Sequence, residues 1–359
     1  MSKSGCFHND FKDCHNNFLL WNHSKPTPFV DRDGSPLAQS VSEKTFVDIN
    51  GVKQGMFIQS KNTQNPVLLY LHGGLPEHFL TKRYPTGLED NFTVVWWEQR
   101  GSGLSYPKIP PESLTLKQMI ADTLEVTSYL RHRFGKEKIY LMGHSGGSFI
   151  GIQAAAQAPK TFYAYIGVAQ MSNQLKSEQI AYQYMLEKYK KQNVKLARKL
   201  EASPVTITDG TPDGYLAVRD KAMHGLCIGT THDMKSVVSG IFLRSLVSRD
   251  YTLREKINLW HGKASSGVSC LWKEMLATDL NKHLTRLEIP TYFFEGIYDY
   301  TCIYTLAKEY FQKIEAPVKG FYTFEKSAHS PIFEEPKKAN KILLEDVLTA
   351  SNNLADSLV

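Results

Sequence analysis

The sequence predicts an α/β fold: a mostly parallel central sheet flanked by helices, with a helical cap inserted into it. Three observations predict it. Short continuous apolar runs such as Pro66-Val67-Leu68-Leu69-Tyr70-Leu71 and Thr93-Val94-Val95-Trp96-Trp97 suit strands buried on both faces of a sheet. Such runs alternate with helical periodicity, the rhythm of a parallel sheet with helices on both sides. Between about residues 170 and 288 that rhythm breaks into helical stretches, at 177–200 and 265–278, separated by turns at Pro204 and Pro212.

Residues 1–40 are polar and turn-rich and read as an extension draped over the surface. Two strands at 45–50 and 52–59 flank Asn50-Gly51, a dipeptide that favours a type I′ turn, and so form a hairpin. Strands follow at 66–71 and 93–97, then a helix over 114–134 with Leu116, Met119, Ile120, Leu124, Val126 and Leu130 at mostly helical spacing. A strand ending at Met142 precedes an apolar helix over 148–158 that Pro159 stops. Further strands are expected at 163–169, 291–295 and 319–324, and a last helix over 336–349 with proline in its first turn, where it is tolerated. The expected organisation is an extension (1–40), a core built from 41–169 and 289–350, a cap (170–288) and a tail (351–359).

The 359 residues, 42% hydrophobic and 22% charged, can bury a large core. A net charge of +6 is mild. Lysines between 188 and 199 alternate with apolar residues like a solvated helix face, so no nucleic-acid partner is expected. Five cysteines without a C-x-x-C pattern read as free thiols. Cys6, His8, Cys14 and His15 lack zinc-site spacing, so no metal is expected there. No early segment resembles a secretory signal and no run approaches a membrane span, which leaves a cytoplasmic protein without a membrane partner as the expectation.

The motif with chemical content is Gly143-His144-Ser145-Gly146-Gly147, directly after the strand at 138–142. A serine at the tip of a sharp strand-to-helix turn needs small residues two positions away on either side, and Gly143 and Gly147 supply them. A serine hydroxyl is a weak nucleophile unless a base, itself oriented by a carboxylate, lies within hydrogen-bond reach. Asp299 follows one predicted strand and His329 the last, in the order Ser, Asp, His that such folds use. The expected oxyanion donors are the amides of Gly146 and of Gly74, the latter in the loop His72-Gly73-Gly74. This chemistry calls for no cofactor and no metal.

His72-Gly73-Gly74, Glu98-Gln99-Arg100-Gly101-Ser102-Gly103, the Ser145 elbow, Asp299 and His329 together resemble the proline iminopeptidase branch of the α/β-hydrolases, over roughly residues 45–345. That family usually has Pro-Gly after His-Gly-Gly, where this chain has Leu75-Pro76, and Asp before Gln-Arg-Gly, where it has Glu98. The resemblance implies an aminopeptidase that releases an N-terminal residue from short peptides, its cap carrying acidic groups for the free amine. An ammonium ion in a partly dry pocket needs a paired carboxylate. Glu178 and Glu77 are the candidates by position, with Tyr182, Trp260 and Trp272 as candidates for an apolar wall.

The same machinery suits a carboxylesterase or another small ester or amide hydrolase, because the triad sets the reaction and the cap sets the substrate. A remoter alternative is a non-catalytic ligand-binding protein on the same fold. An epoxide hydrolase or dehalogenase needs a carboxylate nucleophile at the elbow, and Ser145 excludes that.

Overall fold

The computed structural model describes residues 24–106, 109–206, 208, 210–266 and 270–357. Residues 1–23, which carry Cys6, His8, Cys14 and His15, lie outside the described residues.

Eight strands form one sheet in the order β1-β2-β4-β3-β5-β6-β7-β8. They are β1 (Val41–Ile49), β2 (Val52–Ser60), β3 (Val67–Leu71), β4 (Thr93–Glu98), β5 (Ile139–His144), β6 (Phe162–Val168), β7 (Thr291–Gly296) and β8 (Lys319–Phe324). The pairs β1–β2 and β2–β4 are antiparallel and the others parallel. Asn50 and Gly51 at the hairpin tip both have positive φ, as a type I′ turn requires. Along β3 the side chains alternate between two cores. Val67, Leu69 and Leu71 pack on one face of the sheet, Leu68 and Tyr70 on the other. Burial on both faces is why the strand reads as an unbroken apolar run.

The core helices are α1 (Leu116–Phe134) and α2 (Gly146–Gln157). Between β6 and β7 lie α3 (Gln174–Gln192), α4 (Val194–Glu201), α5 (Asp213–Gly225), a π-turn (Val238–Phe242) running into α6 (Leu243–Val247), α7 (Leu253–Ser266), α8 (Cys270–Ala277) and α9 (Leu280–His283). The chain closes with α10 (Tyr304–Lys313), α11 (Pro331–Glu334) and α12 (Pro336–Ile342), which passes into a second π-turn over Leu343–Val347.

Two expected helices are divided. The stretch 177–200 is broken at Asn193, whose extended backbone ends α3 while its side chain accepts the Leu196 amide and starts α4. The helix expected over 336–349 gives way to the π-turn after Ile342. The inserted helices α3 to α5 carry a core of their own, built on Tyr182, Met185, Leu200 and Tyr215.

Candidate active site

Strand β5 ends directly on Ser145, which takes φ 55° and ψ −124° before α2 begins. A positive φ on a residue with a Cβ is strained, and the surroundings hold it in place. A Cβ on Gly143 would lie 2.5 Å from the Gly147 carbonyl oxygen, and one on Gly147 would fall on the Leu71 carbonyl. The Ser145 amide donates to Val168 O at 3.0 Å and its carbonyl accepts the Ser148 amide at 2.8 Å. The turn is thus pinned on both sides, and Ser145 lines a cavity of about 600 Å³.

His329, beyond β8, reaches the same cavity. Its Nδ1 donates to Asp299 Oδ2 at 2.8 Å. A carboxylate can only accept, so in the neutral ring Nε2 is the atom left to accept a proton. The other Asp299 oxygen accepts the amides of Thr301 (2.7 Å) and Cys302 (2.9 Å), which fixes the carboxylate in its buried seat beyond β7. Glu295, also buried, has its carboxyl pushed well up by burial and then by the nearby Asp299 charge.

Gly146 opens α2, so its amide is one of the helix's first donors without an intrahelical acceptor. Across from it, a Cβ on Gly73 would come within 2.8 Å of Ser145 Cβ and 3.1 Å of Oγ, which measures how closely the 73–74 loop lies against the serine. Gly74 lines the cavity beside Lys263.

The Gln-Arg-Gly segment clamps that loop. The Gln99 amide donates to His72 Nε2 at 3.0 Å, and Gln99 Nε2 donates to His72 O at 2.7 Å. His72 Nδ1 in turn donates to Gly73 O at 2.7 Å. A ring that accepts at one nitrogen and donates at the other is neutral, and burial holds the His72 pKa down at about 4. Arg100 anchors the clamp through Asp122, with Nε–Oδ2 at 2.6 Å and Nη2–Oδ1 at 2.9 Å.

A second carboxylate–imidazole pair lies beneath His329. His144 Nδ1 meets Glu77 Oε1 at 2.8 Å, and His144 Nε2 donates to the His329 carbonyl at 2.7 Å. Both partners are acceptors, so both ring nitrogens carry protons and His144 is an imidazolium. Burial alone would depress it, but the Glu77 charge and the hydrogen bonds outweigh burial and hold its pKa above the ordinary value. Burial likewise opposes ionisation of Glu77, and His144 with the Tyr70 hydroxyl (2.6 Å) overcomes it.

These contacts revise the expected amine-binding residues. Glu178 does not line the cavity. Its fully buried carboxylate takes Arg219 through two bonds of 2.7 Å, Tyr215 OH at 2.7 Å and Gln174 Nε2 at 2.8 Å, which leaves no room for an ammonium ion. Glu77 does line the cavity, but its oxygens are committed to His144 and Tyr70. Tyr182 packs in the core of the inserted helices, its ring 6.0 Å from that of Tyr215. Trp260 and Trp272 do reach the cavity.

The carboxylates that line it from the inserted helices are Asp213 and Asp220. With Leu216 and Met223 they recur at helical spacing on one side of α5, a signal present in the sequence once 213–225 is read as a helix. Burial opposes ionisation of Asp220, but Lys263 and then Arg219 overcome it and hold its carboxyl below the ordinary range. Apolar lining comes from Met119, Met171, Met275, Ile241, Leu271 and the two tryptophans. Among the described residues no group of three or more His, Cys, Asp or Glu could hold a metal ion.

The chain is similar to known proteins over most of its length. The family described as serine aminopeptidase, S33, matches residues 88–336. The probable aminopeptidase YbaC of Bacillus subtilis is 32% identical over 309 residues, 84% of this chain and 95% of the relative. Among solved structures, a proline iminopeptidase-related protein from Thermus thermophilus superposes with a TM-score of 0.55 at 19% identity, covering 86% of this chain and 98% of that one. VinJ superposes with a TM-score of 0.59 at 18% identity, covering 85% and 98%. The last two likenesses are of fold.

Proposed function

The chain belongs to the serine aminopeptidase S33 family of α/β-hydrolases, and from that premise we propose that it removes N-terminal residues from short peptides through a Ser145–His329–Asp299 triad. His329 Nε2 takes the Ser145 hydroxyl proton as Oγ attacks the scissile carbonyl, and the tetrahedral oxyanion is held by the Gly146 and Gly74 amides. The imidazolium then gives its proton to the leaving amine as the C–N bond breaks. Water, deprotonated by His329, attacks the resulting ester, and the proton returns to Ser145 as the N-terminal residue leaves with a free carboxylate.

The observation that carries the peptidase reading is the pair Asp213 and Asp220 on the wall of the same cavity: Asp213 is exposed, and Asp220 meets Arg219 at 3.2 Å yet keeps 45% of its side chain exposed. A carboxylate in this cavity supplies the partner that a substrate's free ammonium needs in a partly dry pocket. The Bacillus relative, a probable aminopeptidase, points the same way.

A second reading, hydrolysis of small esters, is favoured by the methionine- and tryptophan-rich lining, which suits an apolar acyl group. Turnover of aminoacyl arylamides, their N-blocked counterparts and short p-nitrophenyl esters, by wild type and Ser145→Ala, separates the two. Serine-dependent cleavage of free-amine arylamides and not blocked ones is the expected result; serine-dependent cleavage of esters alone transfers the assignment to an esterase.

A further inference from the structure

Of the thirteen large hydrophobic side chains exposed among the described residues, six fall within one stretch of twenty: Val238, Phe242, Leu243, Val247, Leu253 and Ile257. The stretch has two sides. Val237 and Ile241 turn inward and line the catalytic cavity. Val238 and Val247, on the outside, are 61% and 69% exposed. The segment opens with the π-turn Val238–Phe242, a form that often marks functional sites, before the regular turn of α6.

Two elements join into one surface. Leu253 and Ile257 lie one turn apart on α7, and Trp260, three residues on, meets Phe242 edge to face at 4.9 Å. The apolar stripe of α7 therefore continues onto the π-turn and α6.

Charge on this stretch is sorted by direction. Arg244, Arg249 and Arg254 are exposed, and none pairs with a carboxylate among the described residues. The acids turn inward. Asp250 is buried against Lys82 (3.0 Å) and His78 (3.5 Å), and Glu255 takes Lys44 at 2.9 Å. The outer face thus offers apolar side chains and cations without an exposed carboxylate between residues 238 and 257.

We propose that this face adsorbs to the surface of an anionic lipid bilayer. Apolar side chains entering the acyl boundary, with arginines at the level of the phosphates, are the pattern of an interfacial helix. A second copy of the chain fits worse: a twofold contact on this patch sets arginine against arginine, with no exposed acid to pair them. No described helix is long and apolar enough to cross a membrane, so the contact is adsorption and not insertion. Because Val237 and Ile241 lie on the opposite side of the same turn, the bilayer surface would sit about one helix diameter, ~10 Å, from the cavity wall.

The test is flotation of the full chain with phosphatidylcholine vesicles with and without about one-third phosphatidylglycerol. Binding should be about tenfold stronger to the anionic vesicles and released by high salt. The double variants Leu243→Asp/Val247→Asp and Arg244→Glu/Arg249→Glu should each weaken it about tenfold, with melting temperature and turnover of a soluble substrate unchanged. No retention by anionic vesicles, equal retention by neutral ones, or wild-type binding by the charge-reversed protein overturns the proposal. A concentration-dependent dimer abolished by Leu243→Asp/Val247→Asp also overturns it and assigns the face to a second copy.

Discussion

On the sheet side of the cavity, His72, Glu77, His144, Asp299 and His329 are all buried, and each polar contact fixes the next. On the side of the inserted helices, Asp213 is exposed, the Asp220 side chain is 45% exposed, and the apolar lining includes methionines, whose side chains adapt to what they meet. The contrast shows a division of labour. The groups proposed to react sit on strand ends that cannot shift without breaking a buried network, while the groups proposed to meet the variable part of a substrate sit on a layer with its own core.

Changes on the sheet side should therefore abolish chemistry, and changes on the other side should alter preference. The largest effect is expected for Ser145→Ala, whose kcat should fall about a millionfold, or to the background rate, with the fold intact. Next is Gly73→Ala. Its Cβ would press on the pinned Ser145, so kcat should drop about a hundredfold and the melting temperature should fall with it. On the other wall, Asp220→Asn should raise KM about tenfold for free-amine arylamides and leave N-blocked compounds and esters unchanged. An equal loss on all three substrates would erase the distinction between the walls.

The buried pair beneath His329 gives a pH-dependent test of rigidity on the sheet side. His144 has its pKa raised above 6.5, so its contribution to stability is fully present below that pH and is lost as pH rises through the raised value. Glu77 has its pKa lowered from 4.5, so its contribution is present above that value and is lost as pH falls through the lowered one. Glu77→Gln should remove both limbs. Unfolding in urea across the pH range should show a loss of about 3 kcal/mol near neutrality and a flatter profile on either side. An unchanged profile would mean that the pair does not hold the site together.

What could be read in the sequence follows the same division. Strand positions and the Ser145, Asp299 and His329 loops were legible because doubly buried strands leave unbroken apolar runs, and sharp turns at their ends demand glycine. The clamp by Gln99 was visible as a motif, but its target, His72, is 27 residues away in sequence and only the pairing of β3 with β4 brings them together. The inserted helices were harder. Glu178 and Asp220 look alike as acidic residues on helices and both meet Arg219; the difference is burial, since Glu178 is sealed among Arg219, Tyr215 and Gln174 while the Asp220 side chain stays 45% exposed on the cavity wall. Tyr182, an aromatic residue on α3, reads in the sequence as a candidate for that wall or for core packing, and the inserted layer has its own core, which takes it.

The central claim is that Ser145 is the nucleophile, activated by His329. The most direct measurement is labelling of the native protein with a fluorophosphonate, followed by mass mapping of the adduct. A single adduct on Ser145, absent in Ser145→Ala and strongly slowed in His329→Ala, is the predicted result. No adduct, or one on another residue that persists in Ser145→Ala, would contradict it.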